Sequence, residues 1–487
     1  MTTPQVIILG AGPAGLGASH TLHRAGRPFV TVEKNPCVGG LSRTLTFGEF
    51  KTDIGPHRFY SQDRSLYELI AGLLGEDWQP VKRYTRFYVN GRFFRYPIEL
   101  LPTLAGLGPI KSLRILTDYL WAQLRSRYAK QPPRSFEEAA IAQFGRALAA
   151  LNMLNYTEKI WGLPCKQISP DWLGQRVAGL SLLKILRSAL VPRSQGPKTL
   201  VDEFYYPAEG TGMIYQRLYE RVRATMPDAF LLESRPRSIH HESGRITRLD
   251  VQSGETTFSC EPRHVVSSIP LPELVQLLEP AAPQPVQEAG QRLRFRAHVA
   301  LFLILRRQRI VPDQWIYFPE RDIPFGRLME PKNFSRRMAP DGQTSMVLEF
   351  FCQVGDAVWQ ASADELRQVA IPHLERLGLA TAQGIAAAHV HREAEAYPLY
   401  ELNYEKPVAV IKEYLREFKN LQLVGRGGCF RYNNQDHALA MGIAAAGHII
   451  AGRPYSLEGP PEAAGYFEHG SSSGGKVPDK TREKVST

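Results

Sequence analysis

The sequence has few cysteines and no long apolar run, and each absence excludes a class of protein. Its 487 residues contain only 5 cysteines. None forms a C-x-x-C pair, so we expect free thiols in a reducing compartment and neither a disulfide scaffold nor a metal site. No run of about 18 or more apolar residues predicts a transmembrane helix. No basic stretch precedes the first apolar run, as it would in a secretory signal, so a cytoplasmic location is expected.

The charge balance is strongly positive. The net charge is +11, and arginine dominates the basic residues. Nucleic acid, an anionic membrane surface and anionic small molecules are the partners that such a charge fits. No nucleic-acid-binding motif is present, so we expect no nucleic acid partner. Arginine suits paired hydrogen bonds to phosphate, which favours phosphorylated small molecules.

A glycine-rich turn follows directly on the first apolar run. The run covers residues 5–9, and the G-x-G-x-x-G motif after it places glycines at Gly10, Gly12 and Gly15. These glycines permit a tight turn, the approach of a pyrophosphate and close packing of helix on strand. Glu33 ends the next predicted strand, 18 residues after Gly15, where a carboxylate can hold a ribose hydroxyl. The pattern predicts a dinucleotide-binding β-α-β unit. A glycine turn without a ligand is the alternative.

The order of predicted elements indicates an α/β protein. We expect a doubly wound, Rossmann-like domain with an inserted substrate domain of mixed sheet and helices. The Rossmann-like domain is assigned residues 1–82, 200–270 and 405–455. The inserted parts are assigned residues 83–199 and 271–404. The tail at residues 468–487 is rich in serine, glycine and charge, which predicts disorder.

Two local patterns in the inserted part are informative. Residues 84–96 alternate around Asn90-Gly91, which predicts a hairpin. Residues 110–130 and 135–150 predict helices, and the first is amphipathic, with basic side chains at Lys111, Arg114, Arg125 and Arg127. Such a helix fits peripheral contact with the inner face of a membrane. A surface helix packed on a core is the alternative.

Several segments together resemble the UDP-galactopyranose mutases. These belong to a wider group of two-domain flavoproteins that includes amine oxidases, protoporphyrinogen oxidases and carotenoid desaturases. The resemblance runs from residue 5 to about residue 450. The N-terminal motif and Gly39-Gly40 are shared by the whole group and imply FAD. The stretches that resemble the mutases specifically are residues 53–57, 155–178, 315–327 and 425–437.

The resemblance implies a bound FAD, which would be reduced in a mutase, with NAD(P)H as a candidate reductant. His57 would contact the flavin edge through its backbone, and Arg426 and Gln435 would help to hold the isoalloxazine end. The full set of implied cofactor contacts is Gly10, Gly12, Pro13, Ala14, Gly15, Glu33, Lys34, Gly40, Leu41, Ser42, His57, Gly425, Arg426, Tyr432, Asn434 and Gln435.

The resemblance also implies a small-molecule substrate, a sugar linked to a diphosphate. Arg176 and Arg327 would grip the diphosphate and fix the position of the sugar, and His57 completes the implied catalytic set. The implied substrate contacts are Tyr156, Trp161, Arg176, Tyr317, Arg327, Tyr397 and Tyr432. A core position is the alternative for Trp161, and a surface charge is the alternative for each arginine.

Three functions are compatible with these residues. In the mutases the reduced flavin acts as a nucleophile at the anomeric carbon and the sugar changes its ring size, so the cofactor supplies the chemistry and the protein supplies orientation and charge. An oxidase or desaturase would work with oxidised flavin instead. A non-catalytic flavoprotein in polysaccharide assembly is the third alternative, and each could form an oligomer. The chain departs from the family pattern at Cys37, Leu41, Arg58 and Thr157, which bears on the sugar and nucleotide more than on the flavin.

Overall fold

A computed structural model describes residues 5–61, 63–96, 108–129, 131–173, 203–453 and 457. The strands in chain order are β1 Val6–Leu9, β2 Phe29–Val32, β3 Thr44–Phe47, β4 Phe50–Asp53, β5 Trp78–Lys82, β6 Thr85–Val89, β7 Arg92–Arg95, β8 Glu203–Pro207, β9 Phe230–Leu231, β10 Ser234–Glu242, β11 Arg245–Ser253, β12 Thr256–Cys260, β13 His264–Ser267, β14 Leu278–Glu279, β15 Phe295–Leu305, β16 Trp315–Tyr317, β17 Arg327–Met329, β18 Thr344–Cys352, β19 Ile385–Pro398 and β20 Leu421–Leu423. The longer helices are Pro13–Arg24, Arg64–Leu74, Pro109–Tyr128, Phe136–Phe144, Asn155–Trp161, Gly212–Arg223, Leu271–Gln276, Gln284–Arg292, Ala363–Arg376, Glu405–Leu415 and Gln435–Ala451.

A parallel five-stranded sheet forms the first domain, with the strand order β20-β13-β1-β2-β9. All four residues of β1 are buried, as in parallel sheets that helices cover. The helix Pro13–Arg24 connects β1 to β2 on one side, whereas β13 pairs with β1 on the other side. The strand order therefore reverses between β1 and β13. Such a switch point opens a crevice at the carboxyl ends of the strands, where nucleotides bind in this class of fold.

The second large sheet has seven strands, in the order β19-β15-β18-β17-β16-β6-β7. It is mixed, because β16 pairs parallel with β6 while the remaining neighbours are antiparallel. Strands β15 and β18 are buried along almost their whole length. A four-stranded sheet, β12-β11-β10-β14, extends the first domain. The predicted α/β class, a doubly wound domain with an inserted mixed sheet, is confirmed.

Local predictions for the inserted part are largely confirmed. The predicted hairpin is β6–β7, with Asn90 and Gly91 at φ values of 51° and 75°, as a two-residue hairpin turn requires. The basic helix spans Pro109–Tyr128. The helix predicted at 135–150 is interrupted at Gly145, whose φ is 77°. Across the part of the chain that the structure describes, no helix combines the length and the apolar character needed to cross a bilayer.

The helices Leu271–Gln276 and Gln284–Arg292 lie apart from the rest of the segment to which the sequence assigns them. The sequence places residues 271–404 in the substrate domain, but the buried residues of both helices pack in the same core as β1. The reason is a short connection, because only residues 268–270 separate β13 from the first of these helices. The predicted disordered tail lies outside the described residues.

Two helices from opposite ends of the sequence pack closely beside the parallel sheet. A Cβ at Gly442, in the helix Gln435–Ala451, would lie 1.8 Å from the carbonyl oxygen of Ala14. A Cβ at Gly17, in the facing helix, would lie 2.5 Å from the carbonyl oxygen of Leu439. Only glycine leaves room for this approach of the two backbones. The contact ties the C-terminal helix to the glycine-rich turn.

This packing makes Gly442→Ala a destabilising substitution. We expect the added methyl group to lower the free energy of unfolding by about 1–3 kcal/mol, because it overpacks a backbone contact. Gly447→Ala lies in the same helix, where a Cβ would meet nothing within 4 Å, and should instead stabilise by about 0.5–1 kcal/mol. Denaturant unfolding of both variants is the measurement. Equal effects at the two positions would contradict the close helix contact.

Candidate active site

Glycine turns from both ends of the sequence meet at the carboxyl ends of the parallel strands. A Cβ at Gly40 would lie 3.0 Å from the Cα of Gly12. Gly425 follows β20 with a φ of 74°, and a Cβ there would lie 3.2 Å from the Cβ of Ala14. Side chains at these positions would fill the space between the turns. The result is a cradle lined by backbone at the switch point of the sheet.

The cradle has the polarity that a dinucleotide requires. The helix Pro13–Arg24 begins here with Gly12 as its N-cap and no side chain capping its first turn, so its positive end is open to phosphate. Glu33 follows β2 and is 5% exposed, and its carboxylate accepts hydrogen bonds from the backbone N–H groups of Ala11 (2.7 Å) and Asn35 (2.9 Å). Its Oε1 also accepts from the side-chain amide of Asn35 (2.7 Å), whereas Oε2 accepts only from Ala11 among the described residues and keeps a lone pair for a ribose hydroxyl. These residues fit a dinucleotide such as FAD.

A buried ion pair joins neighbouring strands of the second sheet. Arg327 in β17 is in register with Glu349 in β18, which is 0% exposed. The Nε of Arg327 donates to Oε2 of Glu349 over 3.0 Å, and its Nη2 donates to the same oxygen and, over 3.2 Å, to the hydroxyl of Tyr397. The Nε2 of His298 lies 3.0 Å from the same carboxylate oxygen. The backbone at Gly55 passes directly beside the pair, since a Cβ there would lie 3.8 Å from Nη2 of Arg327.

The charges of this pair stabilise each other against burial. Burial raises the pKa of Glu349, but the guanidinium of Arg327 and then His298 outweigh it, and the pKa lies below its ordinary value. Burial lowers the pKa of Arg327, but the Glu349 carboxylate outweighs it and raises the pKa well above the ordinary value. For His57, burial and the positive charge of Arg426 lower the pKa to about 3, so its imidazole is neutral near pH 7.

A second arginine lies beside two stacked tyrosine rings. The guanidinium of Arg426 lies 5.2 Å from the ring centroid of Tyr397 and 4.9 Å from that of Tyr432. These two rings stack with centroids 6.0 Å apart. Arg426 also donates to the carbonyl oxygens of Ala396 (2.8 Å) and Asn433 (2.6 Å). Cation–π contacts and three hydrogen bonds to these two backbone carbonyls therefore fix its position.

Lys159 holds the segment that leads to Arg327 in place through hydrogen bonds to its backbone. The Nζ of Lys159 donates to the carbonyl oxygens of Phe318 (2.6 Å) and Ile323 (2.9 Å). Tyr317 precedes this segment, and its ring meets that of Tyr156 edge to face, with centroids 5.4 Å apart. Both tyrosines contribute to the electrostatic environment of Arg327. These contacts therefore hold Arg327, the segment before it and the two tyrosines together.

The structure brings most of the sequence-predicted residues into two adjoining groups. The glycine cradle contains the N-terminal motif, Glu33, the turn Gly40–Ser42 and Gly425. The second group contains His57, Tyr156, Tyr317, Arg327, Tyr397, Arg426 and Tyr432. Asn434 is the N-cap of the helix Gln435–Ala451. Arg176 lies outside the described residues.

Three predicted contact residues have other surroundings. Lys34 is at the surface, with a side chain 59% exposed and paired with Glu395 over 3.4 Å, so its ammonium lies in solvent. Trp161 is 0% exposed and packs edge to face on Trp172 at 4.8 Å, which matches the core alternative. The side chain of Gln435 forms hydrogen bonds that link separate segments of the protein.

The amide of Gln435 accepts from the hydroxyl of Tyr215 (2.8 Å) and donates to the carbonyl oxygen of Arg58 (3.1 Å). It therefore holds the His57 segment against the C-terminal helix.

The sequence reasoning missed Glu349 and His298. The available signal was the ionisable side chains within the apolar strands β18 and β15, namely Glu349 in the first and Arg296 and His298 in the second. Such residues are rarely buried unless they are paired.

Comparisons with known proteins agree with this architecture. The family profile described as "Flavin containing amine oxidoreductase" matches residues 13–449. Protoporphyrinogen oxidase 2, chloroplastic/mitochondrial, from Arabidopsis thaliana is 22% identical over 488 residues, which cover 92% of this chain and 94% of that protein. The predicted flavoprotein resemblance is confirmed, and the family implies FAD.

Solved structures share the fold. The crystal structure of reduced UDP-galactopyranose mutase has a TM-score of 0.81 at 23% identity, covering 96% of this chain and 99% of that chain. A redesigned putrescine oxidase has a TM-score of 0.64 at 16% identity, covering 92% of this chain and 99% of that chain. At such identities the likeness concerns the fold alone.

The buried ion pair makes a testable contribution to stability. Glu349→Gln leaves a buried guanidinium without its carboxylate and should cost about 3–5 kcal/mol. Because the pKa of Glu349 is lowered from its ordinary value of 4.5, its contribution is complete above pH 4.5 and is lost as the pH falls below that value. The stability difference between the wild type and Glu349→Gln should therefore shrink as the pH falls.

Denaturant unfolding at a series of pH values measures this difference. Glu68→Gln is the matched control, because Glu68 pairs with Arg64 at the surface with both side chains 63% exposed. A difference for Glu349→Gln that is no larger than that of the control would contradict a charged pair in the interior.

Proposed function

The chain belongs to the flavin-containing amine oxidoreductases, and we propose that it is an FAD-dependent mutase acting on a sugar linked to a nucleoside or lipid diphosphate. That the chain is a flavin enzyme of this superfamily follows from its membership in the family. Support for the mutase proposal comes from the fold that the chain shares with reduced UDP-galactopyranose mutase and from the charge of the second residue group.

The glycine cradle is proposed to hold the FAD. Its phosphates would lie at the start of the helix Pro13–Arg24 and its ribose beside Glu33, while Gly40, Leu41 and Ser42 would approach from the facing turn. His57, Gly425 and Arg426 would border the isoalloxazine end. When bound and reduced, the flavin would supply a nucleophilic ring nitrogen to the sugar. The protein would orient the substrate and stabilise the leaving group.

Arg327, whose side chain is 12% exposed, is the observation that carries the substrate proposal. Its guanidinium and the hydroxyl of Tyr397 present donors side by side, which suits the oxygens of a diphosphate. This group and its ion-pair partner together contain two guanidiniums, Arg327 and Arg426, and one carboxylate, Glu349. The excess positive charge would repel a cationic amine and attract a diphosphate. An anionic substrate therefore fits the site better than an amine does.

Each proposed role follows from the contacts of the residue. Arg327 would stabilise the negative charge that develops on the departing diphosphate, and Glu349 would keep the guanidinium oriented. Tyr156, Tyr317, Tyr397 and Tyr432 would line the substrate position. Arg176 is proposed from the sequence alone as the second diphosphate contact. Trp161 would support Tyr397 from behind, since their rings are 6.3 Å apart.

An oxidase is the second candidate. The likeness to a protoporphyrinogen oxidase over 92% of the chain favours it, because the match is nearly full-length. The working redox state of the flavin separates the two candidates. A mutase turns over only after the flavin is reduced, for example by dithionite or NADPH, whereas an oxidase consumes its substrate with oxidised flavin and oxygen.

The cofactor assignment predicts the effect of Glu33→Gln. Loss of the carboxylate weakens the bond to a ribose hydroxyl, and we expect the affinity for FAD to fall about tenfold. Lys34→Ala, one residue further on, should leave the affinity unchanged because its side chain lies in solvent. Titration of the apoprotein with FAD, followed by flavin absorbance, measures both. The same affinity for Glu33→Gln and wild type would refute the assignment of Glu33.

The substrate assignment predicts the effect of Arg327→Lys. The lysine keeps the positive charge beside Glu349 but loses the planar fork of donors, so flavin binding should persist while turnover of UDP-galactopyranose by the reduced enzyme falls about a hundredfold or more. Arg321→Lys is the control, because Arg321 pairs with Glu158 at the surface and is 71% exposed. Unchanged turnover in Arg327→Lys would exclude Arg327 from the reaction. Turnover by the oxidised wild type, without turnover by the reduced wild type, would favour the oxidase.

A further inference from the structure

The helix Pro109–Tyr128 has an apolar face that the described part of the molecule leaves in solvent. We call it the outer stripe; it consists of Ile110, Leu113, Leu120, Trp121, Leu124 and Tyr128. The exposed fractions range from 46% for Leu124 to 85% for Ile110. At 3.6 residues per turn these positions occupy an arc of about 100° around the helix axis. The stripe therefore runs along the helix with one polar residue in the arc, the exposed Thr117, whose hydroxyl donates to the carbonyl oxygen of Leu113 over 3.1 Å.

The opposite side of the same helix is docked on the protein. Ile115 and Tyr119 are 4% and 2% exposed. The carboxylate of Asp118 accepts a hydrogen bond of 2.7 Å from the backbone N–H of Ala147, and the amide of Gln123 donates to the carbonyl oxygen of Gln143 over 2.9 Å. These contacts fix the rotation of the helix. The outer stripe consequently faces away from the residues that the structure describes.

Positive charge flanks the outer stripe. The basic side chains of the helix, all exposed, are Lys111, Arg114, Arg125 and Arg127. Asp118 is the one acidic residue of the helix, and its hydrogen bond to the backbone turns it towards the protein. The outward surface is therefore apolar along its centre and cationic at its borders.

We propose that this helix binds the surface of an anionic lipid bilayer and lies parallel to the membrane plane. The outer stripe would enter the boundary between headgroups and acyl chains, and the flanking cations would contact lipid phosphates. Trp121 and Tyr128 are residue types that prefer this boundary. A second copy of the chain fits less well, because a two-fold contact between stripes would bring the same four cations together. The proposal is independent of the reaction that the enzyme catalyses.

Vesicle binding by the intact flavoprotein tests the proposal. We expect co-sedimentation with phosphatidylcholine vesicles that contain about one third phosphatidylglycerol, and little with phosphatidylcholine alone. Salt should weaken the binding. Trp121 provides a local signal, because it is 62% exposed while the other five tryptophans are buried or half-buried. Its fluorescence should shift to shorter wavelength when the vesicles are added.

Variants separate the apolar and the electrostatic contributions. Trp121→Ser combined with Leu124→Ser should weaken binding at least about tenfold. Its control is Val354→Ser with Val369→Ser, which removes apolar side chains of 60% and 50% exposure elsewhere on the surface and should bind like the wild type. Arg114→Gln combined with Arg125→Gln should weaken binding to the anionic vesicles about tenfold.

Several outcomes would overturn the proposal. They are no binding of the wild type to anionic vesicles, equal binding to both lipid mixtures, and wild-type binding by the Trp121→Ser, Leu124→Ser variant. A dimer that this variant abolishes, without vesicle binding, would assign the stripe to a second copy. Flavin absorbance of each variant shows, independently of vesicle binding, whether the protein is folded with FAD bound. A failure of the membrane proposal is therefore distinguishable from a failure of the proposed function.

Discussion

A guanidinium inside the protein is the constraint on which the site depends. Removing a charged group from water is costly unless an opposite charge and hydrogen bonds replace the solvent. Arg327 meets that requirement through Glu349 and Tyr397, and the carboxylate is further held by His298. These partners come from β17, β18, β15 and the end of β19, so the second sheet must assemble in register before the pair can form. A misregistered strand would leave a buried charge without a partner.

The same sheet is joined to the nucleotide-binding domain by a second arginine. Arg426 belongs to the C-terminal signature after β20, yet it donates to the carbonyl oxygen of Ala396 at the end of β19 and lies over the ring of Tyr397. Gln435 adds a bond to the backbone of Arg58. The glycine cradle and the Arg327 group are thus parts of one structure, and a ligand in the first would have its far end beside the second.

Sequence reasoning succeeded where a function needs a local backbone pattern and was less complete where it needs a side chain's surroundings. The glycine motif predicts a tight turn because its φ and steric demands are properties of a few consecutive residues. Glu349 and Lys34 illustrate the other case. Each is one charged residue in the sequence, but the first is buried against Arg327 and the second lies in solvent. Exposure is decided by strands and loops far away in the chain, so a local pattern does not report it.

The sequence by itself determined the fold class, the β-α-β unit with its glycine turn, the hairpin at Asn90-Gly91 and the family resemblance, because each depends on residue types at short, fixed spacings. Only the tertiary structure decided that Arg327 is paired with Glu349, that Trp161 is core, and that the apolar side of the helix Pro109–Tyr128 faces outward. An amphipathic helix has an apolar side and a polar side in any sequence reading. Which of them meets the protein depends on what packs against it, and here Ile115, Tyr119 and the bond from Ala147 to Asp118 set that rotation.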